Sequence, residues 1–281
     1  MSLQPWMIPS DLAPGDTKSA EKDWRAVQFY RIDHPDHPLF DAAYQHLWDQ
    51  FGPIFEIESR EVLLKRLNWS KAFGDLIYEM DLIMSGHDFV GVRDHSAILI
   101  EFHGQPAAVV HMSHNLVAPA WRRTGIAGWL RALPVDTARR CLTVNGAPAD
   151  SSIVLAGEME YPDPQNEATL IRLKAYEKAG YLVVDPAAVK YFQPDFRPPE
   201  EIDRSGGPTP LPFLLVLRRV GRETERTISG EEVLAIVNGL YRMYGQDFRK
   251  SDMAPLLRQL ADYPANEARI PLRQPSEVSV P

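Results

Sequence analysis

A stretch in the middle of the chain carries the apolar pattern of β-strands, and helical spacing lies on both sides of it. Residues 97–102 and 107–117 are rich in Ile, Leu, Val and Ala, and the His-Gly-Gln-Pro sequence at 103–106 predicts a tight turn between them. Apolar residues recur at helical intervals over 40–51 before this hairpin and over 167–179 after it. A hairpin set between helices predicts an α+β or α/β fold with a mixed sheet.

The pattern divides the chain into four parts. Residues 1–23 contain Pro, Ser and Asp without periodicity and predict a loose leader. Residues 24–221 hold the alternating helices and strands of the main domain. A capping box at Ser229 and the apolar spacing after it predict a helical extension over 222–263, packed on that domain. Residues 264–281 are polar and contain Pro, which predicts a disordered tail.

Composition excludes several functional classes. Lys and Arg number 30 against 38 Asp and Glu, and a net charge of −8 disfavours binding to phosphate backbones. Cys141 is the single cysteine, so no internal disulfide is possible. No apolar run approaches the roughly 20 residues that span a bilayer, and the N-terminus lacks the charge and apolar run of a secretory signal. We therefore expect a cytoplasmic protein without a nucleic-acid or membrane partner.

The connection after the hairpin is the segment most suggestive of chemistry. A strand ends near Val117, a loop with Arg122 and Arg123 follows, and Gly125 begins a helix. Backbone N–H groups at the start of a helix bind anions, and a glycine allows a phosphate to approach closely. The segment matches neither a P-loop nor a dinucleotide fingerprint. Spacing alone leaves an ordinary strand–helix connection with solvated arginines as an equal alternative.

Two motifs resemble one known family. Residues 122–127, Arg-Arg-Thr-Gly-Ile-Ala, resemble the Gln/Arg-x-x-Gly-x-Gly/Ala signature of the GCN5-related N-acetyltransferases, and residues 175–181, Ala-Tyr-Glu-Lys-Ala-Gly-Tyr, resemble the second signature of that family. The motifs occur in the family's order, with a predicted strand at 152–156 between them. The resemblance covers about residues 24–221. It implies the acetyltransferase fold, in which a mixed twisted sheet is flanked by helices, with acetyl-CoA as co-substrate and no metal.

The resemblance also implies roles for individual residues. The strand before the first motif would diverge from its neighbour, and pantetheine would lie in the gap. Tyr176 would protonate the leaving thiolate, which suits a phenol with a pKa near 10; the alternative is a core aromatic residue on an amphipathic helix. The expected cofactor-binding residues are Leu116, Val117, Arg122, Arg123, Thr124, Gly125, Ile126 and Ala127.

An amine acceptor must lose a proton before or during attack, so a base, or a water chain that leads to one, would assist the reaction. Glu158 and Glu160 are two residues apart and would share one face of an extended strand. Either carboxylate is a candidate base, acting directly or through water; solvated edge carboxylates are the equal alternative. His111 and His114, three residues apart in a strand pattern, are expected to point to opposite faces.

The sequence leaves two functions open. The first is direct transfer of an acetyl group from acetyl-CoA to a primary amine of a small-molecule or peptide acceptor. The alternative is a non-catalytic CoA-binding sensor on the same fold. The apolar face of the C-terminal helices fits docking on the core, a homodimer interface or a lid over the substrate.

Overall fold

The computed structural model describes residues 4–163 and 165–278. Within this part of the chain, eleven strands form one sheet in the spatial order β1-β2-β3-β4-β6-β9-β7-β11-β10, with β5 beside β3 and β8 beside β9. The strands are β1 (Gln28–Ile32), β2 (Leu76–Ser85), β3 (Asp88–Phe102), β4 (Gln105–His111), β5 (Asn115–Val117), β6 (Ser152–Met159), β7 (Leu182–Val184), β8 (Tyr191–Gln193), β9 (Leu211–Arg219), β10 (Thr227–Ser229) and β11 (Arg269–Arg273). Strands β4 and β6 are parallel, whereas β3–β4 and β6–β9 are antiparallel.

Helices cover both faces of this sheet. The helices are α1 (Phe40–Phe51), α2 (Arg60–Arg66), α3 (Trp69–Ala72), α4 (Ile126–Ala132), α5 (Pro134–Val144), α6 (Glu167–Lys178), α7 (Pro199–Arg204), α8 (Gly230–Tyr244) and α9 (Lys250–Gln259). We call the face that packs against α1, α2, α8 and α9 the front face, and the face that packs against α4, α5 and α6 the back face. The fold is therefore α+β with a mixed sheet flanked by helices, and this prediction is confirmed. Among the described helices, none has the length and hydropathy needed to cross a bilayer.

The hairpin agrees with the sequence, and so does a break in the first-motif helix, where Pro134 predicts a kink or break. Strands β3 and β4 pair around the predicted turn. One helix ends at Ala132 and the next begins at Pro134, because a proline has no N–H to donate and is favoured in the first turn of a helix. The apolar pattern does not indicate β2, and the Pro-rich stretch at 198–212 predicts a loop where the structure forms α7.

Both terminal predictions need correction. Residues 9–11 and 14–21 of the predicted loose leader form 3-10 turns, and the Asp16 carboxylate accepts two hydrogen bonds of 2.8 Å from the Arg131 guanidinium on α4. Residues 269–273 of the predicted disordered tail form β11, which pairs with β7 and β10. In each case the ordering partner is distant in sequence, so local composition does not reveal it. Residues 1–3 and 279–281 of these two segments lie outside the described residues.

Candidate active site

The sheet opens between β5 and β6. Strands β4 and β6 stay paired up to His111 and Ala156, and the Met112 N–H then donates to the Ala156 carbonyl at 2.8 Å. Beyond this point, in the part of the chain that the structure describes, β5 pairs with β3 and the end of β6 pairs with β9. The carboxyl-terminal part of β6 therefore has an unpaired edge facing the main chain of β5.

A bulge produces this opening. The register pairs Ser96 with His111 but Arg93 with Asn115, so three residues of one strand oppose two residues of β3. The extra residue reverses the alternation of side chains. His111 and His114 consequently both face the front, where their rings contact Tyr244 and Phe51. The expectation that these histidines point to opposite faces is wrong for this reason.

Glu158 lies at the front of the opening and is held by four donors. Its carboxylate accepts hydrogen bonds from the Tyr191 hydroxyl, from Gln193 Nε2 at 2.9 Å and from the Tyr244 hydroxyl at 2.8 Å, and His111 Nε2 lies 3.2 Å away. The side chain is only 5% exposed. Burial opposes ionisation, but His111 and the tyrosine hydroxyls outweigh it and keep the pKa of Glu158 below its ordinary value. Glu158 is therefore a fixed anion that orients its neighbours.

Glu160 lies elsewhere. Strand β6 ends at Met159, so Glu160 does not continue the strand face of Glu158, and its half-exposed side chain pairs with Arg172 of α6. The structure thus separates the two carboxylates that the sequence placed on one face. Only Glu158 contributes to the hydrogen-bonded cluster at the opening.

Tyr176 lies on the back face, at the other side of the same opening. Arg93 Nη2 donates to its hydroxyl oxygen at 3.1 Å, and the Arg131 guanidinium lies 5.7 Å from the centre of its ring. Burial opposes loss of the proton, but the cations Arg93 and Arg131 outweigh it and lower the pKa of Tyr176. Because an arginine can only donate, the hydroxyl proton of Tyr176 takes no part in this bond.

The two sides meet where β4 leaves β6. Met112 points to the back, and its sulfur lies 3.3 Å from Arg93 Nη1, the guanidinium that also holds Tyr176. Ser113 points to the front, and its Oγ lies 2.9 Å from His111 Nδ1. Consecutive residues therefore link the phenol on one face to the histidine and carboxylate on the other.

The predicted anion cradle precedes α4. Arg123 and Gly125 both have left-handed backbone conformations, with φ of 64° and 98°. In the described part of the chain, the backbone N–H groups of Arg123, Gly125 and Ala127 donate to no acceptor. Backbone N–H groups in a turn with left-handed residues can form a concave site for an anion. The exposed side chains of Arg122 and Arg123 add positive charge to this site. The residues present fit a pyrophosphate.

The leader packs directly on this cradle. Ser19 Oγ donates to the Gly125 carbonyl at 2.9 Å, and the exposed Lys22 ammonium donates to the Thr124 carbonyl. These contacts use carbonyl oxygens and leave the amides available. Lys22 brings a third cation beside the two arginines, and the sequence analysis missed it because more than 100 residues separate it from the loop.

The structure brings together most of the predicted site. Leu116 and Val117 lie on β5 at the edge of the opening, residues 122–127 form the cradle, and Tyr176 and Glu158 lie on opposite faces. Glu160 is apart from them. Sequence reasoning missed Arg93, which lies in a strand with no motif, and Ser113. Asn166 caps the N-terminus of the second-motif helix α6, and its side chain accepts the Ala168 N–H at 3.2 Å.

Comparisons with known proteins give structural neighbours only. No model of a protein family matches the chain, and no curated protein matches it significantly. An acetyltransferase from Streptococcus agalactiae has a TM-score of 0.38 at 9% identity, covering 69% of this chain and 99% of that one. A putative acetyltransferase of the GNAT family from Desulfovibrio desulfuricans has a TM-score of 0.37 at 14% identity, with the same coverages. An aminoglycoside acetyltransferase from an uncultured soil sample has a TM-score of 0.32 at 16% identity, covering 54% and 89%. At these TM-scores we draw neither activity nor substrate from the neighbours.

Proposed function

We propose that this protein is an acetyl-CoA-dependent N-acetyltransferase of the GCN5-related kind, acting in the cytoplasm on a primary amine. The observation that carries the proposal is the opening between β5 and β6, with a partly buried phenol on one side of it whose oxygen accepts a hydrogen bond from Arg93. Acetyl-CoA would supply the acetyl group as a thioester. The cradle amides and Arg122, Arg123 and Lys22 would hold the pyrophosphate, and the main chain of β5 would face the pantetheine.

Tyr176 has the properties of the acid for thiolate departure. Arg93 donates to its oxygen without using its proton, and the two nearby guanidinium groups would stabilise the phenolate that remains after proton transfer. Of the two carboxylates expected as base, Glu160 is paired at the surface, and Glu158 has its oxygens engaged by donors. We therefore assign Glu158 an orienting role and no direct contact with the amine.

Binding is tested first by the thermal unfolding of the protein with acetyl-CoA, CoA or ATP. A ligand at 100 times its dissociation constant stabilises the folded state by about 2.7 kcal/mol. We expect a shift with both CoA species and none with ATP. Gly125→Ala should abolish the shift, because the left-handed backbone at Gly125 disfavours a side chain and the added Cβ would lie 3.0 Å from Ser19 Oγ and 3.3 Å from the cradle cation Lys22 Nζ. Gly146→Ala is the matched control, because Gly146 also has a left-handed backbone but faces open space.

Turnover is tested by thiol release from acetyl-CoA in the presence of a panel of primary amines. Release that depends on the amine supports the enzyme. Tight binding of CoA without release on any amine would instead support the non-catalytic sensor on the same fold. No binding of either CoA species would refute both.

A further inference from the structure

The leader joins the helix that follows the cradle to the helix that carries Tyr176. A Cβ on Gly15 would lie 1.7 Å from the backbone oxygen of Lys178, the last residue of α6, so the two main chains are in direct contact. The next residue, Asp16, contacts α4, because a Cβ on Gly128 would lie 3.0 Å from the Asp16 Cβ. The leader therefore bridges α4 and α6 on the back face of the sheet.

Asp16 fixes a cation that lies beside Tyr176. Its carboxylate accepts hydrogen bonds of 2.8 Å from both Nε and Nη2 of Arg131, and the Arg131 guanidinium carbon lies 5.7 Å from the centre of the Tyr176 ring. A two-point bond of this kind sets both the position and the plane of a guanidinium group. The side chains of Asp16 and Arg131 are 13% and 9% exposed, so water and salt screen the pair little.

The charges around the phenol are mostly positive. Arg93 of β3 donates to the Tyr176 hydroxyl oxygen at 3.1 Å, and Arg131 lies over its ring. The other titratable groups nearby are Tyr181, whose ring centre lies 4.9 Å from that of Tyr176, Arg218 of β9 beyond Tyr181, and Asp81 of β2, which pairs in register with Arg93. Asp16 is thus a carboxylate bonded directly to a cation that faces the phenol.

We propose that Asp16 is a positioning residue for the acid: it holds the Arg131 guanidinium beside Tyr176 and offsets part of its charge. Tyr176 must be protonated when the thiolate leaves. A guanidinium group without a carboxylate partner stabilises the phenolate more strongly, which narrows the pH range in which the phenol keeps its proton. The link to catalysis rests on the proposed function, whereas the coupling of the three side chains does not.

The test follows the ionisation of Tyr176 directly. Protein labelled at the ζ carbon of tyrosine is titrated by NMR, and the Tyr176 signal is the one that Tyr176→Phe removes. Asp16→Asn keeps the size of the side chain but leaves the charge of Arg131 without its partner. The midpoint for Tyr176 should therefore fall by about one pH unit, the effect of one charge at about 10 Å with an effective dielectric constant of about 20. Arg131→Gln removes the cation and should raise the midpoint.

Asp11→Asn is the matched control. Asp11 is also a leader carboxylate and accepts hydrogen bonds from both terminal nitrogens of an arginine, but that arginine is Arg139 of α5, whose charged neighbours are Asp11 and Asp136. This variant weakens the docking of the leader without changing the charge that faces Tyr176. Its Tyr176 midpoint should equal that of wild type, and thermal unfolding shows whether each variant is folded.

The outcomes separate this inference from the proposed function. An unchanged midpoint in Asp16→Asn, or equal shifts in Asp16→Asn and Asp11→Asn, would overturn the inference. If Asp16→Asn does not fold, a midpoint that fails to rise in Arg131→Gln would overturn it.

Activity gives the second readout. In protein that transfers acetyl groups, the alkaline limb of the pH profile of kcat should move down with the midpoint in Asp16→Asn, and a limb that stays in place would overturn the positioning role. A shifted midpoint in protein that transfers no acetyl group would support the coupling of the three side chains and refute the proposed function.

Discussion

Asp81→Asn should stabilise this protein above neutral pH. Asp81 lies on β2, is 3% exposed, and its Oδ2 is 3.7 Å from Nδ1 of the fully buried His95. His95 Nε2 lies 2.8 Å from Thr137 Oγ1, and that hydroxyl gives its own proton to Glu79. Nε2 must therefore carry the histidine proton, and Nδ1 presents a lone pair to Asp81. Two acceptors face each other unless Asp81 is protonated.

The magnitude follows from the pKa of this carboxyl. Burial, together with the neighbouring Glu79 carboxylate, raises the pKa of Asp81 from 3.8 to about 7. Below pH 3.8 the group is protonated in both folded and unfolded chains and contributes no pH dependence. Between pH 3.8 and 7 the unfolded chain loses the proton while the folded chain keeps it, so the free energy of unfolding falls by about 1.4 kcal/mol per pH unit. Over the roughly three pH units between these two pKa values, the free energy of unfolding falls by about 4 kcal/mol, and the full loss is present above pH 7.

Asn is neutral at every pH and can donate from its amide to His95 Nδ1. Urea unfolding of wild type and Asp81→Asn should therefore give similar stabilities near pH 4 and a difference of about 4 kcal/mol near pH 8. Asp88→Asn, at an exposed aspartate on β3, is the control and should have the same stability as wild type at both pH values. If Asp81→Asn is no more stable than wild type at pH 8, or if the difference is the same at both pH values, the proton assignment at His95 is wrong.

Three further predictions concern the acid, the leader and the extension. Tyr176→Phe should lower the rate of acetyl transfer by about 100-fold with little change in acetyl-CoA affinity, and an unchanged rate would remove its role as acid. Gly128→Ala should destabilise by about 1–3 kcal/mol and speed proteolysis of residues 14–21, because the added Cβ would lie 2.8 Å from Ser19 Oγ; unchanged proteolysis would show that the leader does not dock there. Arg66→Met should cost about 3–5 kcal/mol in urea unfolding, because its buried partners Glu58 and Asp247 lose their cation; a neutral effect would mean that these carboxylates are protonated or hydrated.

The mixed sheet was predictable where the apolar pattern is local, and β2 shows where this fails. Its back face carries Glu79 and Asp81, and sequence reasoning assigns charged positions in a strand to solvent. Here α5 covers them, and the Arg31 and Arg140 guanidinium groups pair with Glu79. Strand β11 is hidden for another reason, since its pairing partner β7 lies far away in sequence.

The sequence indicates the motif residues of the candidate site but not the side chains that contact them in the structure. Residues 122–127 and Tyr176 have short, recognisable spacing, so the sequence indicated them. Glu158 and Glu160 look equivalent in sequence. In the structure, Tyr191 and Tyr244, which belong to distant elements, cover Glu158, whereas Glu160 stays at the surface. The tertiary structure therefore distinguishes the two carboxylates, which their spacing in the sequence does not.

Asp94 explains why the sheet opens where it does. Its buried Oδ1 accepts both the backbone N–H and the Nδ1–H of His114 at 2.8 Å, and Tyr78 donates to its other oxygen at 3.0 Å. Burial opposes the charge on His114, but Asp94 outweighs it and raises the pKa of the imidazole to about 9, so the two form an ion pair at neutral pH. A side chain that takes a strand's N–H competes with the ladder, which accounts for the bulge and for the loss of pairing with β6 after residue 112. The opening is thus encoded by a carboxylate one strand away from the residues that line it.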